Sequence, residues 1–367
     1  MGVQQKRWPC MLQILCRAGR NPLVYTLIAL AIGLLALATY IFFGGPRLPP
    51  ETGEIIERVS QRDLSHVISG QTGYAEGSGV RIWYEDRRPR GKEVGVVLLN
   101  FGIAGDGLFW PPEFMSALGE DGFRVIRYDQ RGTGASDWME RWQREEAYTL
   151  EDMAADALAV LDECRVEQAH LVGLSMGGFI AQEVAIKAPE RVASLTLMST
   201  AADPTDEALP QLKVWAMLRS ALRAVPILRY RLLGGESNLV RERLAKLIAY
   251  VGPDAVDMEA FVELVLYDLR ERRGINMKAF RQHQAAVAIT RSRYPHLKEL
   301  AIPALVIHGT EDLIFPFEHA QKLVELLPET GLLALEGVGH VFPYPDMATV
   351  TAEVVSHLRD VHALPRL

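Results

Sequence analysis

Apolar positions along the chain fall into two alternating rhythms. Val80-Arg81-Ile82-Trp83-Tyr84 alternates apolar and polar residues in the manner of a strand. Residues 94–99 form an apolar run of buried-strand type, and the largely apolar stretches at 123–128, 169–174, 193–198, 304–308 and 332–335 also read as strands. Between them Leu150, Met153, Ala154, Ala157, Leu158, Leu161 and Cys164 recur at helical spacing behind a Thr149…Asp152 capping arrangement. A second helix runs from residue 176 through about Lys187 and ends before Pro189. Strands alternating with helices in units of this length predict an α/β fold. Its sheet is mainly parallel and covered by helices on both faces, with sites gathered at the strands' C-terminal ends.

Two stretches break the rhythm. Residues 204–295 show helical patterns without strands, which predicts a helical cap inserted into the core. From Gln211 to Tyr250 that insertion carries Lys213, Arg219, Arg223, Arg229, Arg231, Arg241, Arg243 and Lys246 among apolar residues. Such a surface suits either anionic lipid headgroups or solvent over a packed helical core, and the solvated reading is favoured. Residues 23–43 are 21 consecutive uncharged, mostly apolar positions, the length of a helix crossing a hydrocarbon layer of about 30 Å. Lys6, Arg7, Arg17 and Arg20 precede the span. The expectation is therefore a single-pass anchor with residues 1–22 as a cytoplasmic tail and the large domain on the extracytoplasmic side. A cleaved signal peptide competes, but the span outlasts the roughly 7–15 apolar residues of a signal core. Gly and Pro at 44–50 begin a linker expected to extend to residue 71, before core segments at 72–203 and 296–367.

With 49% hydrophobic and 23% charged residues in 367 positions, the chain can bury a large core. Beyond the span it holds 35 basic against 46 acidic groups, a balance of −11 that disfavours nucleic acid as a partner. Cys10, Cys16 and Cys164 form no disulfide framework. Cys164 reads as a small core residue, and Cys10 and Cys16 as bystander thiols for which lipidation stays open.

The chemistry concentrates where the 169–174 strand breaks at Gly173-Leu174-Ser175-Met176-Gly177. In a Gly-x-Ser-x-Gly elbow the glycines allow close backbone approach and lift the serine hydroxyl above the sheet. The backbone N–H of Met176, opening the next helix, would point toward a developing oxyanion. The loop at 100–107, with Gly102, Gly105 and Gly107, fits neither phosphate-binding glycine pattern. No histidine pair has zinc-ligand spacing, and no cofactor is expected.

Asp129-x-Arg131-Gly132-x-Gly134-x-Ser136 and Gly173-Leu174-Ser175-Met176-Gly177-Gly178, with two later motifs, resemble the α/β-hydrolase superfamily, in its esterase and lipase-like branch, across roughly residues 72–360. The resemblance implies an eight-stranded sheet, commonly a helical cap, and a Ser, acid, His triad in that chain order. Ser175 would be the nucleophile. Asp312, in the turn after the 304–308 strand, stands where the acid is expected and matches the family's Gly-x-x-Asp pattern; Glu311 beside it would project differently, and Asp203 is the second candidate. His340, on a glycine-rich loop after the last strand, is the expected general base. His308 would support the site from its strand end, and His170 would be structural. By resemblance the second oxyanion donor is the backbone N–H of Ile103, although Asn100-Phe101-Gly102 stands where the family often has His-Gly.

The resemblance and the apolar span together lead to the expectation of a membrane-anchored serine hydrolase cleaving carboxylic esters, with lipophilic acyl esters among its small-molecule substrates. Serine at the elbow argues against the dehalogenase and epoxide hydrolase branches, which need a carboxylate there. Amidase or iminopeptidase, C–C hydrolase, acyltransferase and perhydrolase chemistry stay open, as does a non-catalytic anchored binding protein. Nothing in the sequence fixes the oligomeric state.

Overall fold

The computed structural model describes residues 22–142, 147–212 and 214–363. Its centre is an eight-stranded sheet of order β1-β2-β4-β3-β5-β6-β7-β8. The strands are β1 (Gln71–Glu76), β2 (Arg81–Arg87), β3 (Gly95–Asn100), β4 (Phe123–Tyr128), β5 (Ala169–Leu174), β6 (Val192–Met198), β7 (Ala304–Gly309) and β8 (Thr330–Leu335). The pairs β1·β2 and β2·β4 are antiparallel, and every later pair is parallel. The order reverses around β3 and β5, so the loops leaving their C-terminal ends open into one crevice.

In chain order the helices, leaving aside the single turn Tyr294–Leu297, are α1 (Pro22–Phe43), α2 (Thr52–Ser60), α3 (Pro112–Glu120), α4 (Leu150–Glu163), α5 (Met176–Lys187), α6 (Val214–Ala224), α7 (Leu228–Leu233), α8 (Glu236–Val251), α9 (Met258–Glu271), α10 (Met277–Ala288), α11 (Glu318–Leu326) and α12 (Met347–Ala363). Successive strand residues point to opposite faces, and in the central strands β3 to β7 both faces are buried. Val96 and Leu98 of β3 pack with α4, α5 and α11 in one apolar cluster. Val97 and Leu99 pack on the other side with Phe114, Met115 and Leu118 of α3 and Val350, Val354 and Leu358 of α12. Thr149 and Asp152 form the expected capping box at the start of α4, and Cys164 is buried at its end. Cys10 and Cys16 lie outside the described residues.

Helices α6 to α10 form the insertion between β6 and β7. The stretch expected to be a linker is partly built into it. Ile55, Ile56 and Val59 of α2 are buried against Val240 and Leu244 of α8 and Val262, Val265 and Leu266 of α9. Burying each such side chain contributes about 1.5–3 kcal/mol. Arg58 pairs with Glu259 at 2.6 Å and Arg62 with Glu263 at 2.8 Å along the same seam. The reason is long-range: α2 is a short amphipathic helix whose apolar stripe is covered by residues some two hundred positions later.

Of α1, Leu23–Phe43 is long and apolar enough to cross a membrane, with mean hydropathy 2.3 and no part of its most apolar window buried. Its C-terminal end docks on the insertion. Tyr40 donates its hydroxyl to the Leu222 carbonyl at 3.0 Å. Arg229 donates to the Gly44 carbonyl at 2.6 Å, placing a cation where helix-end carbonyls concentrate negative charge. Several basic groups of the insertion are tied internally, Arg243 to Asp268 and Lys246 to Glu242. Trp215, Leu218 and Leu222 of α6 stay more than half exposed. Lys213 lies outside the described residues.

Candidate active site

Ser175 occupies the turn between β5 and α5 with φ 54° and ψ −118°, a backbone conformation that costs free energy for any residue except glycine. The surroundings hold it there. The Ser175 N–H donates to the Met198 carbonyl at 2.8 Å, and its carbonyl accepts from Gly178 N–H at 2.9 Å and Thr200 Oγ1 at 2.8 Å. A methyl group at Gly173 would overlap the Gly177 carbonyl, and one at Gly177 would overlap the carbonyl of Asn100. Glycine is therefore required at both positions by contact with backbone, which cannot move aside.

His340 and Asp312 reach the same point from the ends of β8 and β7. His340 Nε2 lies 3.0 Å from Ser175 Oγ, and His340 Nδ1 lies 2.7 Å from Asp312 Oδ2. Asp312 Oδ1 accepts from the backbone N–H groups of Ile314 at 2.7 Å and Phe315 at 3.0 Å. These bonds occupy one carboxylate oxygen and aim the other at the histidine. Burial raises the Asp312 carboxyl, but hydrogen bonds from His308 and His340 outweigh it and hold the group well below the usual carboxylate range. His308, fully buried at the end of β7, places Nε2 2.7 Å from the Phe315 carbonyl and 3.3 Å from Asp312 Oδ2, so it braces this turn. Phe315 in turn meets the His340 ring edge-on at 5.6 Å.

Asp203, the second candidate acid, is engaged elsewhere: its Oδ1 accepts from the N–H and hydroxyl of Thr205 at 2.8 and 2.7 Å. His170 is a buried structural residue, bonded to Ser194 Oγ at 2.7 Å and His362 Nε2 at 2.8 Å. Met176 is the first residue of α5, so its N–H has no acceptor within the helix. Ile103 lies in a turn closed by the Gly105 N–H donating to the Gly102 carbonyl at 3.3 Å, and Gly102 sits against Ser175, whose Cβ is 3.5 Å from where a side chain would begin. The structure thus gathers Ser175, His340, Asp312, Met176 and the Ile103 turn at one end of the sheet.

The Asp129–Ser136 loop buttresses this region. Asp129 and Arg131 do not pair with each other. Asp129 accepts from Gly107 N–H at 3.0 Å and Ala135 N–H at 2.8 Å and pairs with Arg272 of the insertion. Arg131 pairs with buried Asp156 at 2.6 Å. Between them Gln130 donates to the Phe101 carbonyl at 2.6 Å, bracing the strand end just before Gly102.

Beside the site, a cavity of about 180 Å³ runs between the insertion and the core, lined chiefly by apolar residues including Phe101, Trp110, Val256, Phe261, Leu264 and Phe342. Phe101 lies two residues before Ile103, and Phe342 two residues after His340. A larger polar cleft of about 750 Å³, lined by Arg87, Arg88, Arg90 and Lys92 among others, sits by the starts of β3 and β4, away from these residues. Among the described residues no group of three or more His, Cys, Asp and Glu side chains is arranged to hold a metal ion.

A family model described as alpha/beta hydrolase fold matches residues 95–345. The rhodomycin D methylesterase DauP of Streptomyces sp. (strain C5) is 31% identical over 277 residues, covering 70% of this chain and 89% of that protein. Among solved structures, the esterase RhEst1 from Rhodococcus sp. ECU1013 superposes with a TM-score of 0.61 at 22% identity, over 80% of this chain and 99% of that one. A bacterial membrane phospholipase A superposes with a TM-score of 0.59 at 19% identity, over 93% of this chain and 99% of that one. At these identities the two structures speak to the fold alone.

Proposed function

The chain belongs to the α/β-hydrolase family, and on that footing we propose that it is a membrane-anchored serine hydrolase that cleaves carboxylic esters with an apolar acyl group. The observation that carries this reading is the continuous hydrogen-bonded line from Ser175 Oγ to His340 at 3.0 Å and from His340 to Asp312 at 2.7 Å.

In the proposed reaction Ser175 Oγ attacks the ester carbonyl carbon while His340 Nε2 takes the hydroxyl proton. Asp312 holds Nδ1–H, fixing the tautomer that leaves Nε2 free to accept, and stabilises the imidazolium. The tetrahedral oxyanion accepts from the N–H groups of Met176 and Ile103. His340 then gives its proton to the leaving alkoxide, the C–O bond breaks, and alcohol departs from an acyl-Ser175 ester. Water enters, His340 removes one proton from it, and attack on the acyl carbon releases the carboxylic acid and restores Ser175.

Two features support the finer parts of the reading. The apolar cavity flanking the Ile103 and His340 loops suits a hydrocarbon acyl chain and offers little to a charged one. The apolar span at 23–43, with four basic residues before it and an acidic body after it, suits an anchor whose catalytic domain lies outside the cytoplasm. The ester function accords with the methylesterase named among its relatives. A panel of p-nitrophenyl esters of rising acyl length tests the proposal. Turnover that rises with chain length and vanishes in Ser175→Ala is expected, and a folded wild type inactive on every ester would overturn it.

A further inference from the structure

The turn that carries Ile103 is held from the insertion by one histidine. His283 of α10 is fully buried, with Nδ1 3.0 Å from the backbone nitrogen of Ala104 and Nε2 2.9 Å from the carbonyl oxygen of Arg131. The partners dictate the tautomer. A carbonyl oxygen only accepts, so Nε2 carries the proton, and Nδ1 is left as the acceptor that the Ala104 N–H requires. Burial pushes the ring's protonation down to about 4, so it stays neutral through the working range of most enzymes. A proton on Nδ1 would set donor against donor and break the bond.

The Ala104 N–H is not an arbitrary backbone group. It belongs to the central peptide of the Gly102–Gly105 turn, and Ala104 has φ 56°. A positive φ at the third residue of such a turn is the type II pattern, which favours glycine; alanine there costs about 1–2 kcal/mol. The relaxed alternative is a type I turn, reached by rotating the Ile103–Ala104 peptide, and that rotation turns the Ala104 N–H away from any fixed acceptor. The hydrogen bond to His283 opposes it. The same helix and its N-cap clamp the neighbouring loop: the N-cap residue Asn276 donates to the Gly132 carbonyl at 2.9 Å and Gln282 to the Met139 carbonyl at 2.8 Å.

We propose that His283 is a positioning residue for the oxyanion hole: by accepting from the Ala104 N–H it anchors the Gly102–Gly105 turn from the insertion and so holds in place the preceding Gly102–Ile103 peptide, whose N–H is the donor to the carbonyl of a bound ester. This makes docking of α10 a condition for transition-state stabilisation. The inference rests on the ester-hydrolase reading of the site.

Two near-isosteres separate positioning from simple structural support. In His283→Asn, Oδ1 falls where Nδ1 stood and still accepts from Ala104; in His283→Gln, Nε2 falls where the ring Nε2 stood and still donates to Arg131. Each variant keeps one bond and loses the other. Removing an oxyanion donor outright costs about 10²–10³ in kcat, so loosening one is expected to cost about 10–10². The expected result is kcat lowered by that factor in His283→Gln with KM changed less than about threefold, and kcat largely restored in His283→Asn. Equal losses in the two variants, or no loss in the Gln variant, would overturn the proposal. Should the wild type hydrolyse no ester, the reading of the site fails separately. The placement of His283 is then tested by the ¹⁵N shifts of its ring nitrogens: an Nε2–H tautomer with an accepting Nδ1 supports it, and a protonated Nδ1 at neutral pH contradicts it.

Discussion

Asparagine at position 312 is the substitution on which the geometry speaks most sharply. Asp312 Oδ1 already accepts two backbone N–H groups, from Ile314 and Phe315. An asparagine would therefore keep its oxygen on that side and turn its NH₂ toward His340. The amide cannot accept from Nδ1–H, so the imidazole would move its proton to Nε2 and present a donor to Ser175 Oγ instead of a base. With fold and pocket unchanged, the loss expected for a wrong tautomer is about 10⁴-fold in kcat, or roughly 5 kcal/mol of transition-state stabilisation. Steady-state hydrolysis of a p-nitrophenyl ester measures it, with a thermal melt to show that the fold survives. Asp203→Asn is the control, because that carboxylate bonds to Thr205, and less than a threefold change in kcat is expected. If Asp203→Asn removed activity and Asp312→Asn left it within tenfold of wild type, the assignment of the acid would be wrong.

Three further expectations follow from other parts of the molecule. Ala260 lines the apolar cavity, and each methylene buried there contributes about 0.8 kcal/mol. kcat/KM should thus rise about fourfold per added carbon until the cavity is filled, and Ala260→Trp should flatten that slope; an unchanged slope would place the acyl chain elsewhere. His283 and His170 are pushed by burial to about 4 and about 3 respectively, below their unfolded value of 6.5. The unfolded chain then binds more protons in mild acid, so stability contributed by these groups is full above about pH 6.5 and is lost as pH falls. Asp268, raised to about 6 by burial, works in the opposite sense. Urea melts at pH 7 and 5 should assign about 2 kcal/mol of the acid loss to His283, measured as the amount by which His283→Asn reduces the difference; an unaltered difference would show that the ring is not held neutral. Finally, deleting residues 1–43 should move the protein from the membrane to the soluble fraction, and persistent membrane association of the deleted chain would count against the span as its anchor.

Most strands of the core could be read from sequence because their apolar runs are local signals. β5 and β4 begin and end where their runs do, and β3, β6 and β7 differ by about one residue. β1 escaped notice because Gln71–Glu76 is a largely exposed edge strand whose residues carry little apolar pattern. α2 escaped because its stripe is satisfied by the insertion, a partner that no local window contains. That Ser175, Asp312 and His340 meet was legible for a different reason: each sits in a short loop directly after a strand, where glycine spacing and residue type carry the geometry. The groups that support them were legible only in part. His308 could be read as a support from its place near the end of the 304–308 run, whereas Arg272 and His283 lie in the insertion, far from the loops they hold. A signal for His283 did exist, since Ala279, Gln282, His283 and Ala286 share the buried face of α10, and polar residues on an apolar stripe call for partners.

The central claim is that Ser175 is an activated nucleophile, and a fluorophosphonate probe followed by peptide mapping tests it most directly. The account predicts one labelled residue, Ser175, with labelling abolished in Ser175→Ala and slowed by orders of magnitude in Asp312→Asn. A folded wild-type protein that takes no label at Ser175, or whose labelling survives Ser175→Ala, would contradict it.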